Sequence, residues 1–128
     1  MLNLRKRLGE KGESVAAKFL KRKGYSIIEK NFSCKLGEID IIAEKDNTII
    51  FTEVRTKNTD EFGTPQESIT PNKIKHISRV ALYYIKANKL FKRSCRFDVI
   101  AVNYANNFKK PSVEHIENAF YLSNRYRY

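Results

Sequence analysis

Cysteine is scarce in this sequence. Cys34 and Cys95 lie far apart and lack a CxxC spacing, and only His76 and His115 could join them. That argues against a structural zinc site and for two reduced thiols in a cytoplasmic protein. Long apolar runs are missing too. None exceeds strand length, which excludes a membrane-spanning helix. The start, MLNLRKRLGEKGE, has basic residues with no apolar stretch behind them, unlike a secretory signal. No internal repeat or low-complexity segment stands out. Acidic residues are few: 14 Asp and Glu face 25 Lys and Arg, giving a net charge of +11 and a pI of about 9.7. An excess of this size favours a polyanionic partner. Nucleic acid is the simplest, although ribosome-binding and membrane-surface proteins share the signature.

The 128 residues, 41% hydrophobic, suit one domain spanning 1–128. From about Gly9 to Lys23, the apolar stripe Val15, Ala16, Phe19 and Leu20 predicts a helix, stopped by Gly24. YSIIEKNF (25–32) reads as a strand, and two more follow in the hairpin GEIDIIAEKDNTIIFTEVRTK (37–57). NTDEFGTPQESI (58–69) is a polar loop, long enough to suggest function. Thr70 then looks like an N-cap with Pro71 at the first helical position, and Ile74, Ile77, Ala81, Tyr84 and Ile85 carry the helix to about Asn88. CRFDVIAVNY (95–104) and PSVEHI (111–116) complete the order α-β-β-β-α-β-β. The second helix makes a crossover, so the expected fold is α/β, a mixed sheet flanked by helices. The tail NRYRY reads as a frayed terminus.

The hairpin breaks the pattern of an apolar sheet. It holds Glu38, Asp40, Glu53, Arg55 and Lys57, and residues two apart on a strand point the same way. A two-residue turn at Asp46-Asn47 sets Asp40 opposite Glu53, and Glu38 opposite Arg55. Carboxylates facing each other across a ladder repel, so either a cation sits between them or one is protonated. A divalent ion answers that need. Mg²⁺ or Mn²⁺ accepts one or two carboxylates with several waters, neutralises phosphate and acidifies water. Arg55 keeps its charge at any accessible pH and so can clamp phosphate without serving as a base; Lys57 continues the same face. The plain alternative is a solvated sheet face with a Glu38–Arg55 ion pair of little value. Lys73 stands in the first turn of the second helix, where the dipole disfavours a cation, and Lys75 follows. A helix start with lysines can seat a phosphate, and solvated lysines are the commoner case. Arg96 and Asp98 read as a structural ion pair.

The segments GE-SVAAKFL-KGY, GEIDIIA, IIFTEVRTK, FGTPQESI-PNK, CRFDVIAV and EHIENAF, in this order, resemble the YraN-like family of small bacterial proteins. The likeness covers nearly the whole chain. That family is similar to archaeal Holliday junction resolvases and to the PD-(D/E)xK nuclease group, whose domains are restriction-endonuclease-like, and it is usually described as predicted endonucleases. The resemblance implies metal-binding acids at Asp40 and Glu53, a basic position at Arg55 and a helix acid at Glu13. Without it, Glu13 is equally an N-terminal acid favoured by the helix dipole. The group's lysine is arginine here. Together these readings point to a Mg²⁺-dependent endonuclease acting on DNA, with branched or junction DNA as a candidate substrate. Glu13, Asp40, Glu53, Arg55 and Lys57 would form the catalytic set. Arg55, Lys57, Lys73 and Lys75 would bind nucleic acid, and a homodimer would suit junction cutting. The rival reading is a non-cleaving nucleic-acid-binding module with a degenerate nuclease site, and a weaker third is a ribosome-associated or other RNA-binding protein.

Overall fold

A computed structural model describes residues 4–58, 69–105 and 109–121, with side chains of the first helix from Arg7 onward. The elements are α1 (Leu4–Arg22), β1 (Ser26–Cys34), β2 (Gly37–Lys45), β3 (Thr48–Lys57), α2 (Pro71–Ala87), β4 (Ser94–Asn103) and β5 (Ser112–Phe120). The element order matches the sequence reading. The long 58–69 loop and the NRYRY tail fall almost wholly outside the described residues.

The five strands form one sheet in chain order, β1-β2-β3-β4-β5. Neighbours are antiparallel except β3 and β4, which run parallel because α2 carries the chain back across the sheet. Both faces are covered. Ala16, Ala17 and Leu20 of α1 pack on Ile41, Ala43, Ile50, Ile100 and Val102. Ile77, Val80, Ala81, Tyr84 and Ile85 of α2 pack on Ile42, Ile49, Phe51, Phe97 and Val99. A sheet buried on both sides needs apolar residues at consecutive positions, which explains the IIA and TIIF runs of β2 and β3. Among the described residues no helix is long and apolar enough to cross a membrane.

Local chemistry fixes the boundaries. Asp46 and Asn47 both have positive φ (50° and 64°), as a type I′ turn requires, and Lys45 pairs with Thr48 as expected. Thr70 caps α2 by accepting the Lys73 amide at 3.2 Å, with Pro71 next. Two elements run longer than the sequence suggested. The first helix begins at Leu4, five residues before the expected start near Gly9, and carries Gly9 and Gly12 within it at some cost in helix propensity. Gly12 has a packing reason, because a Cβ there would overlap Thr56 Oγ1. Its absence lets α1 lie directly on β3. The last strand reaches Phe120, which pairs with Phe97 past a bulge at Asp98.

That bulge buries a charge. Asp98 has no solvent exposure, yet four donors meet its carboxylate. Arg96 binds it in a fork at 2.8 Å through Nε and Nη2, the Asn118 amide donates at 2.9 Å, and His115 Nε2 lies at 2.7 Å. Lys23 Nζ sits 2.9 Å from His115 Nδ1. An ammonium only donates, so Nδ1 accepts and the ring proton on Nε2 goes to Asp98. Arg96 also donates to Tyr25 Oη at 2.7 Å, and Tyr25 donates to Glu117 at 3.2 Å. The Arg96–Asp98 pair is therefore the centre of a larger network joining β4, β5 and the end of α1.

Candidate functional site

The ladder between β2 and β3 stops at Ile41↔Thr52, one residue before the acids. The next positions in that register are Asp40 and Glu53, and there the side chain takes over from the backbone. The Val54 amide donates to Asp40 Oδ2 at 2.8 Å instead of to a carbonyl of β2. Alternation fails at the same point, since Ile39 and Ile41, two apart, belong to clusters on opposite faces of the sheet. On the other side of Asp40 lies Asn31 of β1, between the pairs Lys30↔Ile41 and Phe32↔Ile39, with a positive φ of 55°. The two strands part around a carboxylate. The expected register therefore holds up to Thr52 but does not run on to set Glu38 opposite Arg55. Instead, Arg55 Nε lies 3.7 Å from Glu53 Oε2.

The gap opens into a cleft of about 650 Å³. Glu38, Asp40 and Glu53 line one wall, Lys73 and His76 of α2 the other, and Ile39, Phe51, Ile77 and Phe120 the floor. Glu13 reaches Asp40 from α1, hydrogen-bonded to both Asp40 and the Asn31 side chain. A bond between two carboxyl groups needs one proton, which the directions of the bond's two effects, up at Glu13 and down at Asp40, assign to Glu13 whenever the pair holds one. Gly12, pressed on Thr56, sets the height from which Glu13 arrives. Asp40, Glu53 and Lys73 thus line one cleft, with Glu13 joined to it through Asp40 and Arg55 through Glu53. Lys57 and Lys75 are not among the described residues lining the cleft; Lys75 is exposed on α2, and the Lys57 carbonyl accepts the Tyr104 amide at 2.8 Å.

Burial pushes the carboxyl groups of Glu13, Asp40 and Glu53 above the ordinary carboxylate range. Repulsion adds to it: Asp40 raises Glu13 and Glu53, and Glu38 raises Asp40. The Val54 amide, the Glu13 bond and Arg55 oppose the shift at Asp40. Glu53 Oε2 is buried with no hydrogen-bond partner. Crowded hard oxygen donors with an unsatisfied buried lone pair suit a divalent cation such as Mg²⁺ or Mn²⁺. Among the described residues no group of three or more His, Cys, Asp or Glu side chains has the geometry to hold a metal ion. The fit is therefore of two carboxylates, Asp40 and Glu53, with water and substrate completing the shell.

This arrangement predicts a response to metal and to pH. An acid whose folded pKa is raised adds stability below its unfolded pKa and loses it as pH rises through the folded value. Keeping these crowded acids ionised at neutral pH therefore costs stability. Mg²⁺ or Mn²⁺ should raise the melting temperature, by roughly 2.7 kcal/mol of stabilisation at 100 times the dissociation constant. Asp40→Asn should melt higher than wild type without metal at pH 7, lose that advantage near pH 4, and respond little to metal. Calorimetric scans at the two pH values check all three; equal metal responses in the two proteins would refute the paired site.

Two contributors escaped the sequence reading. Asn31 looked like an ordinary strand residue, although asparagine is depleted in strands and that could have marked it. His76 looked like part of a basic helix start. Its spacing of three from Lys73 puts the two on one side of α2, which was the available signal.

Residues 12–102 match the family described as "Uncharacterised protein family UPF0102". The chain belongs to the UPF0102 family. Curated relatives include a UPF0102 protein of Clostridium perfringens, 46% identical over 120 residues that cover 94% of this chain and 98% of the relative. Another, from Moorella thermoacetica, is 46% identical over 120 residues, covering 94% of this chain and all of its own. One from Geotalea uraniireducens is 44% identical over 118 residues, 92% of each chain. These UPF0102 relatives match this chain nearly end to end, which agrees with the resemblance drawn from its motifs.

Proposed function

We propose that this protein is a metal-dependent endonuclease that hydrolyses phosphodiester bonds in DNA. The observation that carries the reading is the parting of β2 and β3 at Asp40. It brings two half-buried carboxylates, one with an unsatisfied oxygen, into a cleft faced by the cationic start of α2. A solvated sheet face would have kept its ladder and left these acids in water. A cation held by Asp40 and Glu53 would supply charge neutralisation at phosphate and acidify water. The chain's own groups do the rest. Arg55 holds Glu53 in place and offers a fixed positive charge to the phosphate. Glu13 fixes the orientation of Asp40. Lys73, at the capped end of α2, faces the strand entering the cleft.

The test is purified protein against four-way junction, flap, linear duplex and single-stranded DNA, with Mg²⁺, Mn²⁺ or EDTA. Cutting with either metal and none in EDTA supports the proposal. Salt-dependent binding without cutting of any form would instead establish the second reading, a binding module with a degenerate site. Arg55 in place of a lysine is the observation that favours that reading.

Binding tests the basic surface separately. Affinity for duplex should fall with salt, by a log–log slope of about −0.9 per phosphate neutralised. Lys73 lines the cleft, and Lys75 is exposed on α2 outside that lining. Lys73→Ala should flatten the slope by roughly one unit, and Lys75→Ala should flatten it only if the duplex wraps α2. A slope unchanged by Lys73→Ala returns that lysine to bulk solvent.

A further inference from the structure

Hydrolysis of a phosphodiester leaves an alkoxide that needs a proton, and the groups assigned so far do not supply one. Arg55 holds its protons at any accessible pH, and a lysine ammonium is a far weaker acid than an imidazolium. The acids of the cleft have other places: Glu13 is bonded to Asp40, Asp40 and Glu53 would hold the cation, and Glu38 stands exposed at the rim as a carboxylate without a donor hydrogen. His76 remains. Imidazole is the side chain that changes charge between pH 5 and 8, which suits proton transfer in both directions.

The position of this ring is built from both walls. His76 is exposed, on α2 one turn beyond Lys73, and it lines the cleft opposite Asp40 and Glu53. Its outer edge rests on the backbone of Gly37, the first residue of β2. A Cβ at Gly37 would stand 2.6 Å from Nε2 and 2.8 Å from Cδ2 of the imidazole. Gly37 also has φ at +138°, a conformation other residues resist. The glycine thus serves two needs, a backbone turn and a seat for the ring. The charged groups around that seat are Glu38, Asp40 and Glu53 from the sheet and Lys73 from α2.

We propose that His76 is the general acid of the cleft and protonates the oxygen that leaves phosphorus. This rests on the nuclease reading. Water attacks phosphorus and the bond to the leaving oxygen breaks. Its electron pair stays on that oxygen and takes the imidazolium proton, giving a hydroxyl. The attacking water keeps its oxygen on the phosphate monoester and releases a proton, and solvent returns one to the ring. Atoms and charge balance with no further reactant.

The test is His76→Gln in Mn²⁺, on ordinary oligonucleotides and on oligonucleotides with sulfur in place of the 3′ or the 5′ bridging oxygen. A thiolate leaves without a proton. The variant should cut the ordinary strand about a hundredfold more slowly and cut the strand with sulfur in the leaving position within a few-fold of wild type. In EDTA, with no turnover, the variant should bind duplex as wild type does. The imidazole resonances of His76 in wild type should move when a nicked duplex product is added. Equal loss on both substrates makes His76 structural and overturns its role alone, as do full activity on the ordinary strand or unmoved resonances. If wild type cuts neither substrate, the nuclease reading fails and this proposal with it.

Discussion

Glu53→Gln should cut DNA about a thousandfold more slowly than wild type, an increase of about 4 kcal/mol in the barrier. Glutamine keeps the shape and one carbonyl oxygen but removes the charge that a divalent ion needs. The substitution also separates catalysis from folding. Burial already pushes the Glu53 carboxyl up, and its Oε2 has no hydrogen-bond partner. A neutral side chain there should fold as well as the natural one or better, and the melting temperature without metal should not fall. Binding to duplex in EDTA should stay or tighten, since one fewer carboxylate repels the phosphates. Gel-based cleavage, calorimetry and binding in EDTA read the three effects. Equal cutting by the variant would assign the activity to another site or a contaminant.

Asp98 should behave in the opposite way. Asp98→Ala removes the acceptor for Arg96, His115 and the Asn118 amide at once, inside the sheet. Breaking a buried, fully bonded charge costs about 3–5 kcal/mol, a large share of the 5–15 kcal/mol of a typical domain. The melting temperature should drop by on the order of 10 °C. Burial alone would raise the Asp98 carboxyl, but the bonds from His115, Arg96 and the Asn118 amide outweigh it and hold it below the ordinary range. A lowered pKa adds stability above the unfolded value and loses it as pH falls through the folded one. Wild type should therefore lose this contribution below about pH 4, while Asp98→Asn shows a flatter acid limb. Asp40→Asn should thus stabilise the protein at pH 7 where Asp98→Ala destabilises it. An acid limb identical in Asp98→Asn and wild type would show that the network adds nothing.

The contrast explains what could be read from residue order. Element sequence, the Asp46-Asn47 turn and the Thr70 cap depend on neighbours in the chain, and all three were legible. The register from Lys45↔Thr48 to Ile41↔Thr52, which leads to Asp40 and Glu53, followed from the turn by counting. The counting assumed an unbroken ladder and so could not show that Asp40 ends it. Nothing local marks a strand that turns over between Ile39 and Ile41. His115 and Asp98 meet only because β5 lies beside β4 past a bulge, and alternation does not reveal partners across a bulge. The fit of Gly12 against Thr56 is likewise a contact between distant residues with no local mark.

The strand order β1-β2-β3-β4-β5 has a kinetic consequence. Asp40 and Glu53 lie within one hairpin closed by a two-residue turn, so loop closure costs little and the pair can form on the microsecond scale of hairpins. The parallel contact of β3 with β4 requires the whole β3-to-β4 connection, with α2, to be in place, and contacts between such distant residues form late. The two acids therefore meet before α2 brings Lys73 and His76 over them. During that interval Arg55, on the same strand as Glu53, is the cation within reach of the pair.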